Sequence, residues 1–299
     1  MIALITGASS GIGRAMAKNL ASKGFNLILV ARRQERLEKL KAELKSKYDI
    51  KIKIICKDLS VPQNCIDLHD EVQKVGIDIL INNAGFGLFG RFDQTDLDTE
   101  LKMIDINIKA VHILTKLFLR DFRERNYGFI LNVASVAGFM AGPMLSTYYA
   151  TKNYVLQLTK AIYEELRSDN CNVYIGALCP GPVKTEFNEV AGAEFAVGGI
   201  TDTEAAEYAI NKMFDGELII IPTAKIKATA IASRFAPTKL MLRATMAVQK
   251  ARSEMGKSEK QDENTDEPET AASEEAEENN EEAERHLLRQ VLVFCYKRN

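Results

Sequence analysis

The chain has no tryptophan, three histidines and five cysteines in 299 residues. With aromatics at only 7%, there is little material for a base-stacking platform. His69, His112 and His286 fall nowhere at metal-ligand spacing, so a zinc enzyme is not expected and no metal site is assigned. Cys56, Cys65, Cys171, Cys179 and Cys295 are odd in number, scattered and never form C-x-x-C. Free thiols in a reducing cytoplasm are therefore expected, not a disulfide framework. No apolar run approaches the roughly 18–20 residues of a membrane-spanning helix. The chain starts inside an apolar structured element, so no signal or transit peptide is expected. A net charge of −2 argues against nucleic acid held over the whole surface.

What is present is a chain with 46% hydrophobic and 27% charged side chains, enough for a sizeable core in one large α/β domain or two small ones. Its charge is unevenly spread. Residues 218–253 hold Lys225, Lys227, Arg234, Lys239, Arg243, Lys250 and Arg252 and no acid. Residues 254–284 hold fourteen acids against Lys257 and Lys260, and residues 285–299 carry Arg285, Arg289, Lys297 and Arg298. The Glu/Asn/Ser-rich stretch 256–283 has too few large apolar side chains to offset ordering entropy and is expected to be disordered. The organisation is thus a domain over 1–253 that ends in a basic extension (218–253), an acidic tail over 254–284, and a short terminal segment over 285–299.

Within the domain, apolar runs and helical periodicities alternate. Strands are expected over 1–6, 26–31, 51–57, 77–82, 129–133, 172–178 and 217–221. Helices are expected over 12–23, 33–47, 61–74, 96–123, 147–168 and 202–214. Strands apolar throughout, separated by amphipathic helices, indicate a parallel sheet covered on both faces. The expected fold is a doubly wound Rossmann α/β sheet of about seven strands with a helical C-terminal extension.

The first strand runs into Thr6-Gly7-Ala8-Ser9-Ser10-Gly11-Ile12-Gly13, which opens the first helix. Glycines let this backbone turn sharply against a pyrophosphate, and the helix N-terminus supplies free N–H groups and partial positive charge. Gly7, Ser9 and Gly11 also match the Gly-x-Ser-x-Gly nucleophile elbow. That reading needs an upstream oxyanion loop, and only eight residues precede Ser9, so nucleotide binding is preferred. At the end of the second strand, an acid would select NAD through the ribose 2′-hydroxyl. Here stand Ala31-Arg32-Arg33: a small residue leaves room, and a guanidinium can fork onto a 2′-phosphate, which favours NADP. Arg14, just inside the turn, is a further source of positive charge.

Asn82-Asn83-Ala84-Gly85 closes the fourth strand with amides and small residues suited to close packing on a cofactor. Ser135 follows the fifth strand. Tyr148 and Lys152 are four apart on a helix and share one face. An ammonium beside a phenol favours phenolate, which is expected to pull the Tyr148 pKa down from about 10 and make it a general acid/base.

These elements together resemble the short-chain dehydrogenase/reductase family over residues 1 to about 222. The cofactor turn, Asp58, the Asn82–Gly85 motif, Asn107, Ser135, Tyr148 with Lys152, and Pro180-Gly181 followed by Thr185 all appear in family order. The resemblance implies that Asn107, Ser135, Tyr148 and Lys152 form a catalytic tetrad. It implies that Asp58, with the Leu59 backbone, sits by the adenine. Asn82, Ala84 and Gly85 would support the cofactor. Pro180, Gly181, Val183 and Thr185 would lie at its nicotinamide end, with Thr185 on the carboxamide. Lys152 would hold the ribose hydroxyls, and Asn107 would kink its helix and hold a water that links Lys152 to solvent. The implied activity is hydride transfer between NADP(H) and a carbonyl or secondary alcohol, in a homodimer or homotetramer.

The segments expected to line the substrate pocket are 86–89, 139–140, 144–145 and the loop 187–197, and a mobile lid is expected over 187–200, with Gly192, Gly198 and Gly199 as flexible points. They are apolar and offer no Arg or His for a carboxylate, so a hydrophobic ketone, aldehyde or ketoacyl group is expected. Lys184 and Glu186 are the charges nearby, read as pointing to solvent. Pro237 should split the basic extension into two helical pieces. That extension is read as a cap over the substrate side or a contact with a sister subunit. Peripheral contact of residues 223–252 with an anionic membrane surface is the second reading. Against the reductase stands a non-catalytic NADP-binding interaction or regulatory module, which would not need an intact Tyr–Lys pair.

Overall fold

In a computed structural model, residues 1–187, 199–233 and 236–262 are described. Strands β1 (Ile2–Thr6), β2 (Asn26–Ala31), β3 (Ile52–Cys56), β4 (Ile79–Asn82), β5 (Gly128–Val133), β6 (Val173–Leu178) and β9 (Ile219–Ile220) form one parallel sheet in the order β3-β2-β1-β4-β5-β6-β9. Between them run α1 (Gly11–Ser22), α2 (Gln34–Lys45), α3 (Pro62–Val72), α4 (Leu97–Ile104), α5 (Val111–Glu124), α6 (Ser146–Ser168) and α7 (Asp202–Phe214). A two-stranded ribbon of β7 (Val183–Lys184) and β8 (Ile200–Thr201) stands beside the sheet. It is too short to leave a periodic signature in the sequence.

The strands bury side chains on both faces because helices cover both. Met16 and Leu20 of α1, Leu37 and Leu40 of α2 and Ile210 and Met213 of α7 pack on one face. Leu68 of α3, Leu114 and Phe118 of α5 and Leu166 of α6 pack on the other. β1 pairs with β2 on one side and with β4 on the other. Strand order reverses between β1 and β4, so the connections leave in opposite directions and open a crevice at the carboxyl ends of the strands.

The periodicity expected over 96–123 is not one helix. Six residues, Asp105–Ala110, form a π-helical turn between α4 and α5, and this extra residue per turn rotates Asn107 inward. Beyond β9 the chain forms α8 (Ala224–Ala232) and α9 (Thr238–Asp262), on either side of Pro237. Helix α9 continues past residue 253 into the stretch expected to be disordered. Glu, Lys, Met and Gln dominate there, all good helix formers, and the next proline is Pro268. The acidic run from 263 onward and the terminal segment 285–299 lie outside the described residues. No helix among the described residues is long and apolar enough to cross a membrane.

Candidate active site

A cavity of about 500 Å3 lies in the crevice, lined by the segments that follow β1, β2, β3, β4, β5 and β6 and by residues of α8 and α9. Its floor begins with the glycine turn, where Gly7 has φ +66°. A Cβ on Gly7 would stand 2.8 Å from Asn83 Nδ2, and one on Gly13 only 2.3 Å from the same atom. Asn83 Nδ2 donates to the Thr6 and Gly7 carbonyls at 3.0 and 3.3 Å. The Asn83 and Ala84 amides donate to Thr6 Oγ1 at 2.9 and 3.0 Å. The turn is thus riveted to the end of β4, and Gly13 serves that packing rather than lining the cavity. Ser10 makes no side-chain cap on α1 and no acid occupies its first turn. The first-turn amides and their partial positive charge are left for an anion. Gly7, Ser9, Ser10, Gly11 and Ile12 all line the cavity.

Arg32, Arg33 and Lys57 form its basic end. Arg33 is already engaged: it donates to Ser9 Oγ at 3.1 Å, to Ser10 Oγ at 2.7 Å and to Glu186 at 3.0 Å. Glu186 therefore does not simply point to solvent. Arg36 and Arg33 together hold its carboxyl below the usual range. The Arg32 side chain has no partner among the described residues, so it is the guanidinium left to meet a ligand. Arg14 is drawn away to Glu43 at 3.1 Å. Lys57, not singled out from the sequence, stands one residue before Asp58 and reaches Glu71 at 3.7 Å. Asp58 turns its carboxylate onto the Ser60 amide and hydroxyl at 3.0 and 2.8 Å and is not a lining residue, whereas Leu59 is.

Asn82 also lies off the cavity. Its Nδ2 donates to Thr115 Oγ1 and Asn132 Oδ1 at 3.0 and 2.9 Å, and Asn132 in turn donates to Thr159. This buried ladder ties β4 and β5 to α5 and α6 beneath the site. Ala84 and Gly85 are the residues of the motif, with Asn83, that face the cavity. Pro180, Gly181, Val183 and Thr185 line it opposite.

Ser135, Tyr148 and Lys152 converge at one end. Ser135 is held after β5 by the Ala137 amide donating to its Oγ at 3.1 Å. Lys152, 5% exposed, donates to the Val133 carbonyl at 2.9 Å, with Nζ 5.8 Å from the Tyr148 ring centroid. Burial lowers the Lys152 amine to about 8. The expected lowering of the Tyr148 pKa is overturned: burial of the phenol outweighs the Ser135 hydrogen bond and raises it. Asn107 is fully buried and does not line the cavity. Its Oδ1 accepts from the Phe86 amide at 3.1 Å, and its Nδ2 donates to Phe86 O and Thr151 Oγ1 at 2.9 and 3.0 Å. It thereby clamps the loop after β4 to α6 beside Lys152.

On the substrate side, Phe86, Met140, Leu145 and Phe187 line the cavity, and Tyr149 joins Tyr148. Leu88, Phe89, Phe139 and Met144 are not among the lining residues, and residues 188–198, with Gly192 and Gly198, lie outside the described residues. The distal wall comes from Ile226, Ala230 and Ser233 of the α8 segment and Met241, Thr245, Val248 and Gln249 of α9. Part of the extension therefore lines the substrate side of the cavity. The nucleophile-elbow alternative finds no support, since Ser9 accepts from Arg33. His69 pairs with Asp121 and His112 with Tyr154. Among the described residues no cluster suited to a metal ion occurs.

The floor fits a dinucleotide: an open helix N-terminus, a glycine cradle that a Cβ would fill, and basic groups at one end. Known proteins bear the same shape. A short-chain dehydrogenase from Sphingobium yanoikuyae in complex with NADPH superposes with a TM-score of 0.73 at 32% identity, over 80% of this chain and 94% of that one. A bulky-bulky ketone specific alcohol dehydrogenase from Comamonas testosteroni gives 0.69 at 30% identity, over 78% and 91%. The very-long-chain 3-oxoacyl-CoA reductase of Anas platyrhynchos is 32% identical over 198 residues, 64% of this chain and 63% of that protein. The chain thus spans under two thirds of the length of such curated relatives. The profile of the short chain dehydrogenase family matches residues 1–195. The chain belongs to the short-chain dehydrogenase/reductase family.

Proposed function

We propose that the protein is an NADP(H)-dependent reductase of hydrophobic ketones, aldehydes or ketoacyl groups. The observation that carries this reading is the convergence of Ser135, Tyr148 and Lys152 on an apolar cavity continuous with the glycine cradle. A bound nicotinamide supplies the hydride that such a site delivers to a carbonyl carbon, or takes it up in the reverse direction. Ser135 Oγ and Tyr148 Oη face that end of the cavity as two donors for the oxygen on which negative charge builds. Because burial raises the Tyr148 pKa, the phenol keeps its proton at neutral pH and can give it to the substrate oxygen. Lys152 lies beside it as a buried amine anchored on Val133, placed to hold hydroxyls of the ligand and to return a proton to Tyr148. Asn107 fixes the Phe86 backbone and Thr151, and so the spacing between the two walls.

NADP rather than NAD is supported by the Arg32 guanidinium, which has no partner among the described residues, with Lys57 also lining the cavity and no acid at the end of β2. The substrates named for the relatives, very-long-chain 3-oxoacyl-CoA and bulky ketones, agree with a roomy apolar cavity. The deciding experiment is NADPH oxidation across a panel of hydrophobic ketones by the wild type and by Tyr148→Phe. We expect the variant to bind NADPH as the wild type does and to lose about 10²–10⁴-fold in turnover. Near wild-type rates in the variant would overturn the role of Tyr148, and no oxidation by the wild type with any ketone would favour the non-catalytic binding module.

We also propose a cytoplasmic homo-oligomer, a dimer or tetramer. Unpaired thiols at Cys56, Cys65, Cys171 and Cys179 and exposed Phe92, Leu97 and Leu101 support it, and light scattering of the purified protein tests the assembly.

A further inference from the structure

The distal wall of the cavity is apolar at Ile226, Met241 and Val248, but it also carries polar atoms. Two of these have their protons committed to their own helices. Ser233 Oγ donates to the Ala230 carbonyl and Thr245 Oγ1 to the Met241 carbonyl, both at 2.8 Å. Gln249, one turn beyond Thr245, differs. It is 1% exposed, and its Nε2 donates to the Tyr149 hydroxyl at 3.2 Å. Its Oε1 is buried with no hydrogen-bond partner among the described residues.

The amide is held where substrate would pass. Tyr149 directly follows Tyr148, and their rings stand 6.2 Å apart, edge to face. The Tyr149 ring is fixed in turn, because it fills the space a Cβ on Gly142 would need, 2.4 Å from Cε2. A buried amide oxygen without a donor is costly, and native proteins seldom keep one without a use. Here Gln249 lines an apolar cavity, and its buried, unpartnered oxygen belongs to a side chain one residue removed from the proton donor.

We infer that Gln249 is a specificity-determining residue, whose Oε1 accepts a hydrogen bond from the substrate. The substrate class is then a carbonyl compound with a largely apolar body that carries a donor, a hydroxyl or an amide N–H, at a distance from the carbonyl being reduced. This rests on the reductase reading above. A site built to accept from such a group discriminates against the analogue that lacks it, because the buried oxygen then stays unpaired.

The test uses matched pairs of 2-alkanones and ω-hydroxy-2-alkanones of graded chain length, with NADPH oxidation as the readout. At one chain length the wild type should prefer the hydroxy ketone by about 10-fold in kcat/KM. Gln249→Leu should bring that ratio to about one, with the loss in KM rather than kcat because the group is remote from the reacting atoms. Tyr149→Phe, which releases the amide, should lower the ratio as well and decides the matter if Gln249→Leu fails to fold, with NADPH binding as the check on folding. A wild type that reduces both members of every pair equally, or variants that keep the wild-type ratio, would overturn the assignment of Gln249 alone. No NADPH oxidation with any pair would overturn the reductase reading and this assignment with it.

Discussion

Lys152 should cost the protein stability in return for chemistry, and its replacement by methionine measures how much. Burial lowers its amine from 10.5 to about 8, which at 1.36 kcal/mol per pH unit is about 3 kcal/mol spent on keeping the ammonium inside at pH 7. Lys152→Met keeps the length of the side chain and removes the charge. The Val133 carbonyl, which accepts from Nζ at 2.9 Å, loses its donor at a cost of about 1 kcal/mol. The variant should therefore be more stable by about 2 kcal/mol at pH 7, a rise in Tm of about 4–8 °C for a domain of this size. The pH dependence carries a signature. Between about 8 and 10.5 the unfolded chain holds a proton on Lys152 that the folded chain has released. Wild-type stability therefore rises with pH across that window, while the variant has no such group to titrate. The gap between the two should close toward pH 10, while other titrating groups cancel because both proteins share them. Calorimetry of the ligand-free proteins at pH 7, 8, 9 and 10 measures it. A gap that stays constant over this range, or a variant several kcal/mol less stable at pH 7, would refute the reasoning.

Two further substitutions probe the cofactor end. Arg32→Asp should weaken NADPH binding by about 10–100-fold, the worth of a charge-assisted hydrogen bond, while NADH binding holds or improves. Arg33→Ala, which frees Ser9 and Ser10, should weaken both dinucleotides alike; titration of NADPH and NADH fluorescence separates the two patterns, and identical behaviour of the variants would contradict the division of labour. Gly13→Ala would place a Cβ 2.3 Å from Asn83 Nδ2 and 2.6 Å from the Gly7 carbonyl. It should destabilise the protein by about 1–3 kcal/mol and weaken dinucleotide binding, read by thermal unfolding with and without NADPH; an unchanged Tm would show that the turn can yield.

Local patterns were readable in the sequence because their spacing and their structure coincide. The glycine turn sits between an apolar strand and a helix, and Tyr148 and Lys152 are one helical turn apart, so position alone brings them together. Which of two adjacent amides serves the site is another matter. Asn82 is the last residue of β4 and points into the layer under α5 and α6. Asn83, just past the strand, turns to the glycine loop. The π-helical turn at Asp105–Ala110 inserts one residue in a continuous apolar stripe, which periodicity cannot place. Arg33 and Glu186 are 153 residues apart, and no local rule pairs them. The Tyr148 pKa failed for the same reason. Lys152 is close in sequence, but the burial of the phenol that raises its pKa comes from the tertiary fold around it.

Chemistry and selectivity therefore come from different lengths of the chain. The cradle, Ser135, Tyr148 and Lys152 all fall within residues 1–195, where the family profile matches, and the reaction type follows from that part. The distal wall of the cavity is made by Ile226, Ala230, Ser233, Met241, Thr245, Val248 and Gln249, beyond the end of that match. A relative's substrate can thus agree with the size of the cavity and still say nothing of Gln249. An amide oxygen left unpaired on such a wall is a constraint on the substrate that belongs to this chain. It is why the selectivity ratio between a hydroxy ketone and its plain counterpart is the more informative number than the rate with either one.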